Sequence, residues 1–140
     1  MCMIKIGTDQ RPWEFVENES SDTFLMRMLE YGYPVEVSFV GAFDHSGRGS
    51  RRDVPLPFHR DGDYSKSVAS KHSIDIVGLY CLREGDAITV FKHKGEEYPV
   101  VLKQGQGIIF DNQKVLHARR GSVGDRILLR VWIESKDKEK

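Results

Sequence analysis

The sequence predicts a mainly β fold, a jelly roll carrying one N-terminal helix, and three observations lead there. Beyond residue 33 the apolar residues fall in short runs rich in β-branched and aromatic side chains. Glycine-bearing breaks separate those runs at the intervals of a sandwich or barrel. Only one segment has helical spacing.

That segment follows Ser21 and Asp22. Phe24, Leu25, Met28 and Leu29 share one helical face, and Gly32 is placed to stop the helix. Strands are expected over 35–40, 74–82, 87–91, 98–102, 107–110 and 127–133. Turns fall at Glu84-Gly85-Asp86, Lys94-Gly95-Glu96, Gln104-Gly105-Gln106-Gly107 and Gly121-Ser122-Val123-Gly124. Positions 44–53 are polar and glycine-rich between apolar neighbours, and read as a long mobile loop. Its Arg48, Arg51 and Arg52 could make it a lid over an anionic substrate, although a solvated loop is the plainer reading. Residues 136–140 read as a frayed, solvated tail. Trp13, Tyr64 and Tyr80 suit a pocket wall, but core positions suit such aromatics better.

A chain of 140 residues can bury one sizeable core. The expectation is a single domain over 1–140, with its core at about 33–134. Lysine plus arginine balances aspartate plus glutamate, 21 against 21, so no net field draws the chain to nucleic acid or an anionic membrane. Apolar stretches are strand-sized, and Met1-Cys2-Met3-Ile4-Lys5 opens no leader or membrane span, which suggests a cytoplasmic protein. Cys2 and Cys81 have no disulfide or zinc-ribbon spacing and read as free thiols.

His59-Arg60-Asp61 places an imidazole and a carboxylate two residues apart. On extended chain that spacing turns both to one face, where they can share a metal ion. Alone the spacing carries little, because five histidines and eleven aspartates make a chance His-x-Asp easy to find. His117 adds a second imidazole after a strand, a turn and another apolar run. Two histidines and one carboxylate form the facial triad that leaves three positions open on octahedral Fe(II). A core or turn histidine is the ordinary alternative for His117. His45, His72 and His93 lack the aspartate spacing and are expected at the surface.

The stretch 126–133 decides between these readings. Alternation puts Arg126, Leu128, Arg130 and Trp132 on one face, and Ile127, Leu129, Val131 and Ile133 on the other. Two arginines therefore share a face with large apolar groups. A buried guanidinium needs an anionic partner, and its planar fork fits a carboxylate. A dicarboxylate ligand would supply one; arginines reaching solvent, or paired with the protein's own acids, are the alternative.

Taken in order, these segments resemble the Fe(II)/2-oxoglutarate dioxygenase superfamily, most closely its taurine dioxygenase and γ-butyrobetaine hydroxylase branch. Leu56-Pro57-Phe58-His59-Arg60-Asp61-Gly62-Asp63-Tyr64 is similar to the family's His-x-Asp segment. Residues 107–119 resemble its strand, Asp-Asn turn and distal histidine, and 126–132 its final strand. The likeness covers about 54–134 and implies a double-stranded β-helix, a distorted jelly roll. It implies iron held by His59, Asp61 and His117, with 2-oxoglutarate and O2 as cosubstrates. Arg130 is the expected anchor of the cosubstrate's distal carboxylate, assisted by Arg126; a prolyl-hydroxylase-like pattern would favour Arg126. The activity implied is hydroxylation of a C–H bond in a small molecule, with 2-oxoglutarate converted to succinate.

Two departures weaken the analogy. Members of the taurine branch are usually much longer, so their substrates do not transfer. Gly85-Asp86 is followed by Ala87 where some relatives carry a cosubstrate-contacting threonine, leaving Thr89 as a substitute. The competing readings are a cupin-type metal enzyme that does not use 2-oxoglutarate, and a degenerate oxygenase fold serving as a ligand-binding module. The sequence leaves the oligomeric state open.

Overall fold

The computed structural model describes residues 6–41, 56–61, 72–121 and 124–135. The order of elements is β1 (Trp13–Val16), α1 (Ser21–Leu29), β2 (Gly32–Val40), β3 (Leu56–His59), β4 (Ile76–Arg83), β5 (Ile88–His93), β6 (Glu96–Val100), β7 (Gly107–Asp111), β8 (Leu116–Arg120) and β9 (Ile127–Ser135). The expected loop at 44–53, with Arg48, Arg51 and Arg52, lies outside the described residues, as do Cys2, His45, Tyr64 and the tail at 136–140.

Two antiparallel sheets face each other. One has the order β1-β7-β4-β9-β2 and the other β3-β8-β5-β6. Between them lies a core that includes Phe91, Phe110, Val77, Leu79, Leu128 and Trp132. A second core lies on the other side of the five-stranded sheet, where Phe24 and Met28 of α1 meet Ile76, Tyr80, Ile109, Leu129, Val131 and Ile133. The central strands β4 and β9 are thus covered on both faces. β9 divides as alternation requires: Leu128 and Trp132 point between the sheets, and Leu129, Val131 and Ile133 point toward the helix.

Nine residues are too few for a helix that is stable by itself, so α1 depends on its contacts. The Ser20 hydroxyl accepts from Thr23 N at 3.1 Å and caps the first turn. Phe24 and Met28 are fully buried, worth roughly 1.5–3 kcal/mol each. They fit because the sheet beneath them carries glycine: a Cβ at Gly78 would lie 2.6 Å from Met28 Sδ, and one at Gly107 would lie 2.6 Å from Phe24 Cε1.

Gly32 differs from its expected role. The helix ends at Leu29 with Glu30 as its cap, and Gly32 opens β2. A Cβ there would stand 2.0 Å from Glu134 O, so close approach to β9 calls for glycine at this position. The Lys94-Gly95 turn does use left-handed backbone, with φ of 52° and 80°, and joins β5 to β6.

Tyr80 is a core residue, and Trp13 is partly buried against the core. The Trp13 ring meets those of Phe91 and Tyr98 in tilted contacts, each with centroids 5.1 Å apart. Tyr80 lies under the helix, where its hydroxyl donates to Glu19 O. His93 is a correction to the surface position expected of it. It is buried, with Nδ1 3.1 Å from Lys114 O and Nε2 2.9 Å from Asp9 O, because β5 carries it beneath the β7–β8 turn. His72 is half-exposed, 3.6 Å from Glu134 Oε1. Cys81 is a buried free thiol. Among the described residues no helix is long and apolar enough to cross a membrane.

Candidate metal centre

Strand register builds the site. In the β3–β8 ladder His59 lies directly opposite His117, so both imidazoles leave the sheet on one face with adjoining Cβ atoms. Their ring centroids are 4.3 Å apart. Asp61 follows His59 by two residues, just past the end of β3, and returns its carboxylate to the same face. One ligand atom from each of the three side chains lies within 4.8 Å of the others, and all three residues are buried. The structure thus brings His59, Asp61 and His117 to a single point between the sheets.

The donor atoms are fixed by their neighbours. His59 Nδ1 is 2.7 Å from Pro57 O; a carbonyl only accepts, so Nδ1 carries a proton and Nε2 is the ring nitrogen that faces the site. His59 Nε2 and His117 Nε2 stand 3.6 Å and 3.1 Å from Asp61 Oδ1. The other oxygen, Oδ2, accepts from the Trp132 indole at 2.9 Å. Burial drives the Asp61 carboxyl upward, but His117, the hydrogen bond from His59 and the charge of Arg130 outweigh it, holding it well below the usual carboxylate range. The Asp61 carboxylate is therefore ionised and available to a cation.

Two nitrogens and one carboxylate oxygen converging on a buried point suit a divalent first-row metal such as Fe(II). The residues present fit that ion. The backbone around Asp61 is also tied down. Asn112 Oδ1 accepts from Asp61 N at 3.0 Å, and Asn112 Nδ2 donates to Asp61 O at 3.0 Å and to Ile74 O at 2.9 Å.

The triad opens on a pocket whose walls include Leu79, Thr89, Arg119, Arg126, Leu128 and Arg130. Arg126 is buried, and its Nη1 donates to Ala87 O at 3.1 Å and more weakly to Thr89 Oγ1 at 3.4 Å. Burial lowers its pKa, the mark of a guanidinium in apolar surroundings. Arg130 is differently engaged: its Nη2 is 3.3 Å from Glu36 Oε2, and its guanidinium lies 4.6 Å above the Trp132 ring.

Trp132 and Asn112 are the residues whose place in the site the sequence argument did not reach. Alternation places Trp132 on the face of the two arginines without showing its role; a buried indole N–H needs an acceptor, and Asp61 is the acid within reach. Asn112 was visible only as part of a turn.

No family model matches the sequence, and no curated protein matches it. Among solved structures, the chain is similar to a prolyl-4-hydroxylase of Pseudomonas putida, with a TM-score of 0.57 and 13% identity, covering 94% of this chain and 77% of that one. At that identity the likeness shows the fold, a mainly β jelly roll of antiparallel sheets. Closeness to the taurine dioxygenase branch finds no support in this match.

Proposed function

We propose that this protein is an Fe(II)- and 2-oxoglutarate-dependent oxygenase that hydroxylates a small molecule. The observation that carries this reading is one cavity holding both a converged His59, Asp61 and His117 and a buried guanidinium, Arg126, for which no carboxylate partner is seen among the described residues. A metal-binding jelly roll with no dicarboxylate to bind would leave the buried charge of that arginine without an anion, since Ala87 O and Thr89 supply only neutral acceptors. Fold similarity to a prolyl-4-hydroxylase supports the same class.

Bound to the triad, Fe(II) supplies the redox chemistry that couples oxidation of the substrate by O2 to conversion of 2-oxoglutarate into succinate and CO2. The protein's own groups bind and orient. We assign the distal carboxylate of 2-oxoglutarate to Arg126, with Thr89 beside it, in preference to Arg130, which already pairs with Glu36 and stacks on Trp132. A planar fork fixed by Ala87 O and Thr89 presents donors to a carboxylate in one orientation and so sets the keto end toward the triad. Leu79 and Leu128 give the cavity an apolar wall.

The direct test is product formation. Protein loaded anaerobically with Fe(II), mixed with 2-oxoglutarate and then exposed to O2, should release succinate above an iron-only control, even without primary substrate. Absence of succinate above that background would overturn the oxygenase reading and leave a metal-binding jelly roll of another activity.

A further inference from the structure

Asp61 can meet a metal through one oxygen or two, and the surroundings of its two oxygens differ. Oδ1 faces both histidine Nε2 atoms, at 3.1 Å and 3.6 Å. Oδ2 is turned away toward the opposite sheet, where Trp132 Nε1 donates to it at 2.9 Å. Trp132 stands on β9 and is buried, so its ring cannot swing away without opening the core between the sheets.

The indole is itself held. The Arg130 guanidinium covers its face at 4.6 Å, and Glu36 on the neighbouring strand β2 holds that guanidinium at 3.3 Å. A cation over the ring draws electron density from it, which makes the ring N–H a stronger donor. Glu36, Arg130, Trp132 and Asp61 thus form a line from the edge of the five-stranded sheet to the metal site.

Resting on the metal site proposed above, we infer that Trp132 is a positioning residue for the metal: its N–H occupies Asp61 Oδ2, so that the carboxylate binds the ion through Oδ1 alone. Arg130 acts through Trp132 and orients the ring. A one-oxygen aspartate uses a single coordination position and preserves the open positions that a cosubstrate and O2 require. Partners of this kind typically change metal affinity by about 10–100-fold when removed.

Two measurements on the full chain test this. In the wild-type protein labelled with nitrogen-15, one equivalent of Zn(II) should shift the Trp132 indole resonance while that of Trp13 stays in place. The Trp132 indole proton should exchange slowly with water both before and after the metal is added. Trp132→Phe, which keeps an aromatic ring under Arg130, should bind Co(II) about tenfold more weakly. Its visible Co(II) bands should also lose intensity, as a second carboxylate oxygen joins the ion.

Zinc binding with an unmoved or fast-exchanging Trp132 indole would overturn the inference and leave the metal site standing. The same holds for a Trp132→Phe protein with wild-type Co(II) affinity and spectrum. A protein that binds neither ion would remove the metal site and this inference together. Should Trp132→Phe fail to fold, the wild-type resonance experiment still decides, and Arg130→Met should weaken Co(II) binding in the same direction by a smaller factor.

Discussion

Asn112 holds Asp61 by its backbone, with Oδ1 accepting from Asp61 N and Nδ2 donating to Asp61 O, each at 3.0 Å, while the same amide reaches Ile74 O at 2.9 Å. One side chain from the β7–β8 turn therefore sets where the chain leaves β3 and where it approaches β4. Asn112→Ala leaves a buried N–H and two carbonyls without this partner, and should destabilise the protein by about 2 kcal/mol or more. It should also weaken metal binding, because Asp61 loses its register with His117. Urea unfolding and metal titration of the same sample check both; a fall in stability with unchanged metal affinity would mean that the turn does not position the carboxylate.

Arg126 and the triad should separate by function. Arg126→Met removes a charged fork and leaves the metal ligands untouched, so Fe(II) binding should stay within about twofold of wild type. Affinity for 2-oxoglutarate should drop by roughly 10–100-fold, the worth of hydrogen bonds to a charged group. Arg130→Met should cost 2-oxoglutarate much less. Anaerobic titration of the Fe(II) protein with 2-oxoglutarate reads both affinities, and the opposite ranking would return the anchor to Arg130.

The depressed Asp61 carboxyl fixes a pH dependence for the metal-free protein. Its folded pKa lies below an unfolded value of about 3.9, so the stabilisation it contributes is complete above that value and is lost as pH falls toward the folded one. The difference in unfolding free energy between wild type and Asp61→Asn should be flat above about pH 5 and should move against wild type below pH 4. Denaturant unfolding at pH 6, 4.5 and 3 measures it, and a difference that grows in favour of wild type in acid would contradict the sign.

The helix seat gives a test of the fold. Gly78→Ala places a methyl group 2.6 Å from Met28 Sδ, and methionine is flexible enough to give way in part. The expected cost is about 1–3 kcal/mol with metal affinity unchanged, since the helix lies across the sheet from the site. Thermal unfolding checks it; an unchanged midpoint would mean that Met28 repacks freely.

Much of this was legible in the sequence because β structure writes itself in period two. The alternation of 127–133 gave both faces of β9, and the two-residue spacing of His59 and Asp61 gave a shared side. The helix was readable from the spacing of Phe24, Leu25, Met28 and Leu29. Strands β1, β3 and β8 fall outside the expected set because each has only four or five residues, too few to show a period of two. The reasons for Gly32, Gly78 and Gly107 were equally hidden, since each answers to a chain segment distant in sequence. The ranking of Arg130 above Arg126 rested on the likeness to the taurine branch, and the sequence pattern does not show that Glu36 on β2 lies beside Arg130. His93 looked like a surface residue because its carbonyl neighbours, Asp9 O and Lys114 O, come from remote loops.

The central claim, one iron site that recruits 2-oxoglutarate, is tested most directly by anaerobic visible spectroscopy of the Fe(II) protein on addition of 2-oxoglutarate. The account predicts a charge-transfer band that saturates at one iron per chain and is absent in His59→Ala, Asp61→Ala and His117→Ala. A wild-type protein that binds iron without the band, or a band that persists in those variants, would contradict it.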